Sequence, residues 1–323
     1  ARDRRSGEVV ALKRVKLSRE MCAEGFPTTA LRETNVLLAL RHEHVVSVRE
    51  MVVGRERDKV FMVMDYYDHD LKTVIAEKQD GPFSQAVAKA LLRQLLSAVA
   101  YMHERWFAHR DVKTSNLLYH NASGRLALAD FGLARRFGDP PDPRHPLTLN
   151  VVTLWYRCPE LLLGAKTYSP PPVDCWSVGC VFAELLLKKP LFGAAKGELD
   201  QIQAIFRLVG LPTETSWPGL ADLGPAAKRL LERHASRSGH KQQQRRHSVV
   251  PKNRFRETFP ALGFGRDDLT PLSDAGLDLL SGLLTPDPAQ RLTAAAALQH
   301  PFFAEPPLAT PRDRMPEFQL DRL

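Results

Sequence analysis

The spacing of apolar residues changes character along the chain. Before residue 66 it favours the two-residue rhythm of strands. EVVALKRVKL (8–17) brings β-branched residues and partial alternation after a polar turn, and SVREMVV (47–53) and DKVFMVMDY (58–66) repeat that pattern. Between them PTTALRETNVLLAL (27–40) predicts one helix, started by Pro27 and the Thr pair and given an apolar side by Leu31, Leu37, Leu38 and Leu40. From Ser84 onward helices dominate. SQAVAKALLRQLLSAVAYMH sets Val87, Leu91, Leu95 and Val99 four apart behind Ser84, a predicted N-cap. DCWSVGCVFAELLL (174–187) is almost wholly apolar, the pattern of a helix buried on every side. SDAGLDLLSGLL and TAAAALQH predict shorter helices, and GDPPDPRHPLT (138–148), with four prolines, predicts a loop. The layout is a small β-rich lobe followed by a larger helical one, joined near Tyr66 to Asp70.

With 323 residues, 44% hydrophobic and 25% charged, the chain has the makeup of a folded protein with enough length to bury a large core. No uncharged apolar run approaches the roughly 18 residues of a membrane helix, so no membrane span is predicted. The four cysteines (Cys22, Cys158, Cys175 and Cys180) form no C-x-x-C pair and no zinc spacing, which points to a reducing compartment, cytosol or nucleus. The net charge of +8 is local: residues 228–256 carry ten Lys+Arg and one acid, so the rest of the chain is close to neutral. Phe255 is the sole Phe, Tyr or Trp of that segment, which leaves little for base stacking, so nucleic-acid binding is not expected. The segment reads as a solvated insert or a nuclear-import tract.

Three short strings then fall in a fixed order: VALK at 10–13, HRDVKTSN at 109–116 and DFG at 130–132, followed by CPE at 158–160 and DCWSVG at 174–179. Together they match the protein-kinase signature set. The residue types suit that chemistry. Phosphoryl transfer from ATP needs the triphosphate held, its charge neutralised and the acceptor hydroxyl aligned. Lys13 can offer a fixed positive charge to the phosphates, with Glu33 on the following helix as the acid that holds it. Asp130 is a hard oxygen ligand for Mg²⁺, and Asn116 offers a second oxygen. Asp111 can orient the acceptor and take its proton, and Lys113 can neutralise charge on the moving phosphoryl group. His109 reads as a packed structural residue.

GFPTTALRE at 25–33 resembles the cyclin-facing helix of the cyclin-dependent protein kinase family, and together with VMDYYDHDLK and KTSN it is most similar to the PITSLRE subgroup. VVTLWYRCPELLLGAKTYS at 151–169 continues the likeness, which runs from residue 1 to about 306. The resemblance implies an α+β, two-lobed protein-kinase fold with a small β-rich N-lobe (1–66), a larger α-helical C-lobe (67–306) holding an activation segment at 130–160 and the basic insert at 228–256, and a C-terminal tail (307–323). It implies a proline-directed Ser/Thr kinase that uses ATP and Mg²⁺, partners a cyclin and acts on Ser/Thr-Pro sites in the nucleus, with the cytoplasm as a second location to test. By the same resemblance Ala11 and Leu118 enclose adenine, Asp65 and Tyr67 bond it through hinge backbone, and Asp70 lies near the ribose. Thr148 matches a threonine phosphorylated by an upstream activating kinase, with Arg32, Arg110 and Arg135 gathering the phosphate. Val151, Val152 and Arg157 match the pocket for the proline after the acceptor, and Glu160 is expected to pair with Arg291. The family pattern has a strand and a Gly-rich loop before VALK. No G-x-G-x-x-G stands before Lys13, so the expectation is a fragment of a longer chain. The alternative is a non-catalytic cyclin-binding pseudokinase.

Overall fold

The computed structural model describes residues 1–15, 36, 39–54, 60–77, 83–138, 153–229, 232, 254–259 and 272–319. Glu33, Arg32, Thr148, Val151 and Val152 lie outside the described residues, as do most of the 27–40 helix, nearly all of the Pro-rich 138–148 stretch and most of the basic insert.

Three strands build the first sheet: β1 (Val10–Arg14), β2 (Val48–Val53) and β3 (Val60–Asp65), antiparallel in the order β1-β3-β2. The strand expected over 8–17 begins at Val10, after a polar turn at residues 4–6, and residues 16 and 17 lie outside the described residues. The register sets Ala11 opposite Met64 and Lys13 opposite Met62. Strand period puts Ala11, Lys13 and Val15 on one face, and Val15 is buried on it. The sheet is tied to the rest of the molecule through residues 44–46: Val46 N–H donates to Leu128 O at 2.9 Å and Leu128 N–H to His44 O at 2.9 Å.

A short strand β4 (His69–Asp70) leads into helix α1 (Leu71–Glu77), followed by α2 (Gln85–Glu104). Ser84 caps α2 as the sequence predicts, its hydroxyl accepting from Val87 N–H at 3.3 Å. Leu91, Leu95 and Val99 are buried as expected, and so are Ala88, Leu92 and Leu96. The buried face is wider than one stripe because α2 packs against several elements at once. Beyond α2 come β5 (Phe107–Ala108), β6 (Leu117–His120), β7 (Arg125–Leu128) and β8 (Arg135–Arg136). They pair as a β4-β6-β7 sheet and a β5-β8 ribbon.

The remaining helices are α3 (Pro159–Leu162), α4 (Pro170–Leu187), α5 (Glu198–Val209), α6 (Phe255–Thr258), α7 (Asp274–Leu283) and α8 (Ala294–Leu298). Helix α4 is buried along nearly its whole length, with Trp176, Val178, Val181 and Phe182 inaccessible. It begins four residues earlier than the apolar run because Pro170 to Pro172 have the fixed φ that suits a first turn, where no N–H is needed. Gly179 lets the Leu283–Leu284 corner approach it: a Cβ there would come within 2.8 Å of Leu284 Cδ2. After α8 the chain runs back over the helical lobe. Tyr119 Oη donates to Pro316 O at 2.8 Å, Asn121 Nδ2 donates to Phe318 O at 2.9 Å, and the Phe318 ring packs against Phe83 and Tyr119.

Candidate functional site

The segment from His109 to Asn116 joins β5 to β6, and one buried carboxylate fixes its start. Asp174 of α4 accepts His109 N–H at 2.8 Å and Arg110 N–H at 2.7 Å, and meets His103 Nε2 at 2.9 Å. Burial alone would raise its pKa, but these donors outweigh it and hold the carboxyl below its ordinary range. Arg110 takes φ +62°, a left-handed conformation that costs a residue with a Cβ roughly 1–2 kcal/mol. The charge-assisted bond from its N–H to Asp174 offsets that cost.

His109 links the two acidic positions of the site. Its Nδ1 accepts Asp111 N–H at 3.2 Å and its Nε2 lies 3.0 Å from Ala129 O. A backbone N–H can only donate and a carbonyl only accept, so the proton sits on Nε2 and the ring is neutral. Burial pushes its pKa below the ordinary histidine range, in agreement with that state. Asn116 O accepts Ala129 N–H at 2.8 Å, a second tie between the two segments.

Asp111 is consequently held from several sides. Lys113 Nζ donates to its Oδ2 at 2.7 Å and Asn116 Nδ2 to the same oxygen at 3.1 Å. Thr153 donates to Oδ1 through its N–H at 3.4 Å and its hydroxyl at 3.3 Å. Lys113 Nζ also donates to Thr153 Oγ1 at 3.0 Å. Asn116 Nδ2 donates further to Asp111 O at 2.9 Å, which fixes the amide's orientation and leaves its oxygen as the acceptor end of the side chain.

Asp130 follows Ala129 and also takes a left-handed φ of +63°. Its Oδ1 accepts from Lys13 Nζ at 3.1 Å, joining β1 to this segment over 117 residues of sequence. Burial works against its ionised form, but Lys13 and the Gly132 N–H prevail and hold it below the ordinary carboxylate range. Phe131 is buried edge-on to His109 with ring centres 4.9 Å apart, so the adjacent Asp130 is turned outward at 51% exposure. Among the described residues, no group of three or more His, Cys, Asp or Glu side chains is placed to hold a metal. Mg²⁺ bound with a nucleotide asks for less, one or two protein oxygens beside the phosphates and water. An outward carboxylate and an oriented amide oxygen fit that demand.

The other predicted positions are distributed around this centre. Ala11 and Leu118 are half-buried, Leu118 packing against the buried cluster of Val46, Tyr67 and Ala127. Asp65 N–H donates to Ser47 O at 3.4 Å, and its carboxylate takes Arg49 Nε at 2.9 Å. Asp70 caps α1, accepting Thr73 N–H at 3.0 Å and Thr73 Oγ1 at 2.8 Å, so its carboxylate has a structural duty the sequence reading did not include. The β5-β8 ribbon sets Arg135 opposite Ala108, and the Arg110 guanidinium bonds Leu133 O and Tyr168 Oη, both at 2.9 Å. Arg157 reaches Glu198 of α5 at 2.5 Å. Glu160 and Arg291 form the expected pair, two parallel bonds of 2.8 and 2.9 Å inside the helical lobe.

Sequence reasoning assigned no role to Thr153 or Asp174, and none to Glu184, which accepts Tyr156 Oη at 2.6 Å and Thr114 Oγ1 at 3.1 Å. A signal existed for two of them: Asp174 and Glu184 are the acids in an otherwise apolar helical run, and a buried acid there requires partners. Thr153 carries no such mark.

A family model described as "Protein kinase domain" matches residues 1–303. The chain is 48% identical to Cyclin-dependent kinase G-2 of Oryza sativa, an alignment that covers 100% of this chain and 42% of that protein. It is 46% identical to human Cyclin-dependent kinase 11B, covering 95% of this chain and 34% of that protein. The chain therefore spans less than half the length of these curated relatives. The crystal structure of the yeast RNA Pol II CTD kinase CTDK-1 complex superposes with a TM-score of 0.79 at 35% identity, covering 96% of this chain and 90% of that one. A chain of the CAK complex from Chaetomium thermophilum bound to ATP-γ-S gives 0.77 at 32% identity, covering 96% and 87%.

Proposed function

The chain belongs to the protein kinase domain family, and from that premise we propose that it forms most of the kinase module of a cyclin-dependent Ser/Thr kinase, transferring the γ-phosphoryl group of ATP to Ser/Thr-Pro sites. The observation that carries this reading is the bonded set of Asp111, Lys113, Asn116 and Thr153, tied through His109 to the Asp130–Lys13 pair. The names of its relatives and the nucleotide in one structural neighbour support it.

Each role follows from an arrangement. Asp111 orients the acceptor hydroxyl and takes its proton, with Oδ1 and Oδ2 positioned by Thr153, Asn116 and Lys113. Lys113 keeps a positive charge beside the reacting group. Lys13 steadies Asp130 and presents its ammonium to the phosphates, and Glu33 is assigned to hold Lys13. Mg²⁺, held by Asp130 and Asn116, supplies neutralisation of phosphate charge when bound. Ala11 and Leu118 line the adenine cleft, with hinge backbone at Asp65 and Tyr67 and with Asp70 near the ribose. A cyclin partner, activation through phosphorylation of Thr148 toward Arg32, Arg110 and Arg135, and proline selection by Val151, Val152 and Arg157 belong to the same reading. So does nuclear location, for which the basic run at 228–256 is the support.

The test is Asp111→Asn in the protein paired with a cyclin. Loss of a positioned general base predicts a fall in transfer to a Ser-Pro peptide of about 10²–10⁴-fold, with ATP binding and thermal unfolding retained. Wild-type turnover in that variant overturns the reading.

A further inference from the structure

Beside Asp111 lies a cavity of about 710 Å³ that the reading above leaves without an occupant. It is bounded by α1, by Lys113 to Ser115, by Thr153 to Tyr156 and by the chain leaving α4. Its size falls in the range of a ligand pocket, and through Lys113 and Thr153 it shares walls with the site that holds Asp111.

The charges around it are unequal. Among the described residues, Lys72, Lys113, Lys188 and Lys189 line it, against one acid, Glu184. Lys113 is answered by Asp111 at 2.7 Å. Glu184 is buried, and each of its oxygens already accepts a hydroxyl, from Tyr156 and from Thr114. Burial lifts its pKa above the usual carboxylate range, an effect the two hydroxyls and Lys72 only moderate. Its two oxygens are therefore already occupied at the cavity floor. Lys72 and Lys189, both exposed, give the cavity a positive surplus. Lys188 holds φ +57° as the C-cap of α4, its N–H bonded to Glu184 O at 2.8 Å. That conformation is glycine's natural place at a helix end, yet a lysine stands there. Trp155, with Nε1 bonded to Ala195 O at 3.2 Å, and Leu191 supply an apolar wall.

Resting on the phosphoryl-transfer reading, we propose that this cavity is a subsite for an acidic side chain, Asp, Glu or phosphoserine, lying N-terminal to the phosphoacceptor. The N-terminal side follows from the other flank being assigned: Arg157, which belongs to the proline pocket, is turned toward Glu198 on α5. A substrate whose acceptor sits at Asp111 then passes its preceding residues over α1 and the lysines. Phosphate, with more charge and more acceptor oxygens than a carboxylate, binds such a site more tightly.

The experiment compares Ser-Pro peptides carrying Ala, Glu, phosphoserine or Lys at each of the four positions before the acceptor, with the cyclin-paired protein. At one or more of these positions kcat/KM rises about 3–10-fold from Ala to Glu and further with phosphoserine, and falls with Lys. In a Lys72→Glu/Lys189→Glu double variant the order reverses. Fluorescence anisotropy of the same labelled peptides reads the preference without turnover. Failure of every peptide to be phosphorylated therefore counts against the enzymatic reading, and equal binding of Ala and Glu peptides against the subsite. Equal use of acidic and neutral peptides, a preference for Lys, or a double variant with an unchanged order overturns the proposal. Separation of Glu from phosphoserine decides whether a carboxylate suffices or prior phosphorylation is needed.

Discussion

At the scale of single residues, burial decides what a charged group is worth. Arg291 is buried, bonds both oxygens of Glu160, and also donates to Thr285 O, Pro286 O and Pro172 O. Removing one member of such a pair strands the other without water. Arg291→Met is therefore expected to cost about 3–5 kcal/mol, read from urea unfolding, while adding Glu160→Gln recovers part of that loss. Strictly additive losses would show that the two residues do not act as a pair. This contact was legible in the sequence through its resemblance to a known family. The bonds from Arg291 to the carbonyls were not, because main-chain acceptors have no signature in a residue string.

At the scale of elements, the chain after α8 is held by the surface it crosses. Gly124, in the turn between β6 and β7, adopts φ +59°, and a Cβ there would lie 2.4 Å from Arg312 O and 2.7 Å from Met315 Cβ. Arg312 also reaches Glu43 at 2.7 Å and Ser123 O at 3.2 Å, while His69 Nε2 lies 2.8 Å from Phe318 O. Gly124→Ala combines an unfavourable backbone with a clash against another main chain. The expected loss is about 1–3 kcal/mol, together with faster proteolytic cleavage within residues 307–319. Unchanged protection there would mean that the turn and the strap are independent. The apolar periods of α2 and α4 predicted these helices and their burial. They carried no information on the strap, whose anchors Met315 and Phe318 are isolated apolar residues without a period.

At the scale of the molecule, Lys13 and Asp130 bridge the first sheet and the helical lobe. Their side chains are 39% and 51% exposed, so water screens the pair and its contribution to stability is small, under about 1 kcal/mol. The bridge matters for what it positions. Asp130→Asn is expected to leave the unfolding temperature within about 2–4 °C of wild type, while calorimetry loses Mg²⁺-dependent binding of an ATP analogue. A large fall in stability with retained nucleotide binding would reverse that assignment.

By itself the sequence determined the alternation that makes β1, β2 and β3, the apolar runs of α2 and α4 with the Ser84 cap, and the polar residues capable of handling phosphate. These are local properties, set by side-chain type and by backbone periods of a few residues. Only the tertiary structure decided that Lys13 meets Asp130 across 117 positions, that Thr153 shares Asp111 with Lys113, that Asp70 caps a helix, and that three further lysines gather with Lys113 around a cavity floored by Glu184. The physical reason is that burial and hydrogen-bond distance are properties of the packed chain. The same lysine is a solvated charge or part of a binding site according to what the fold brings beside it.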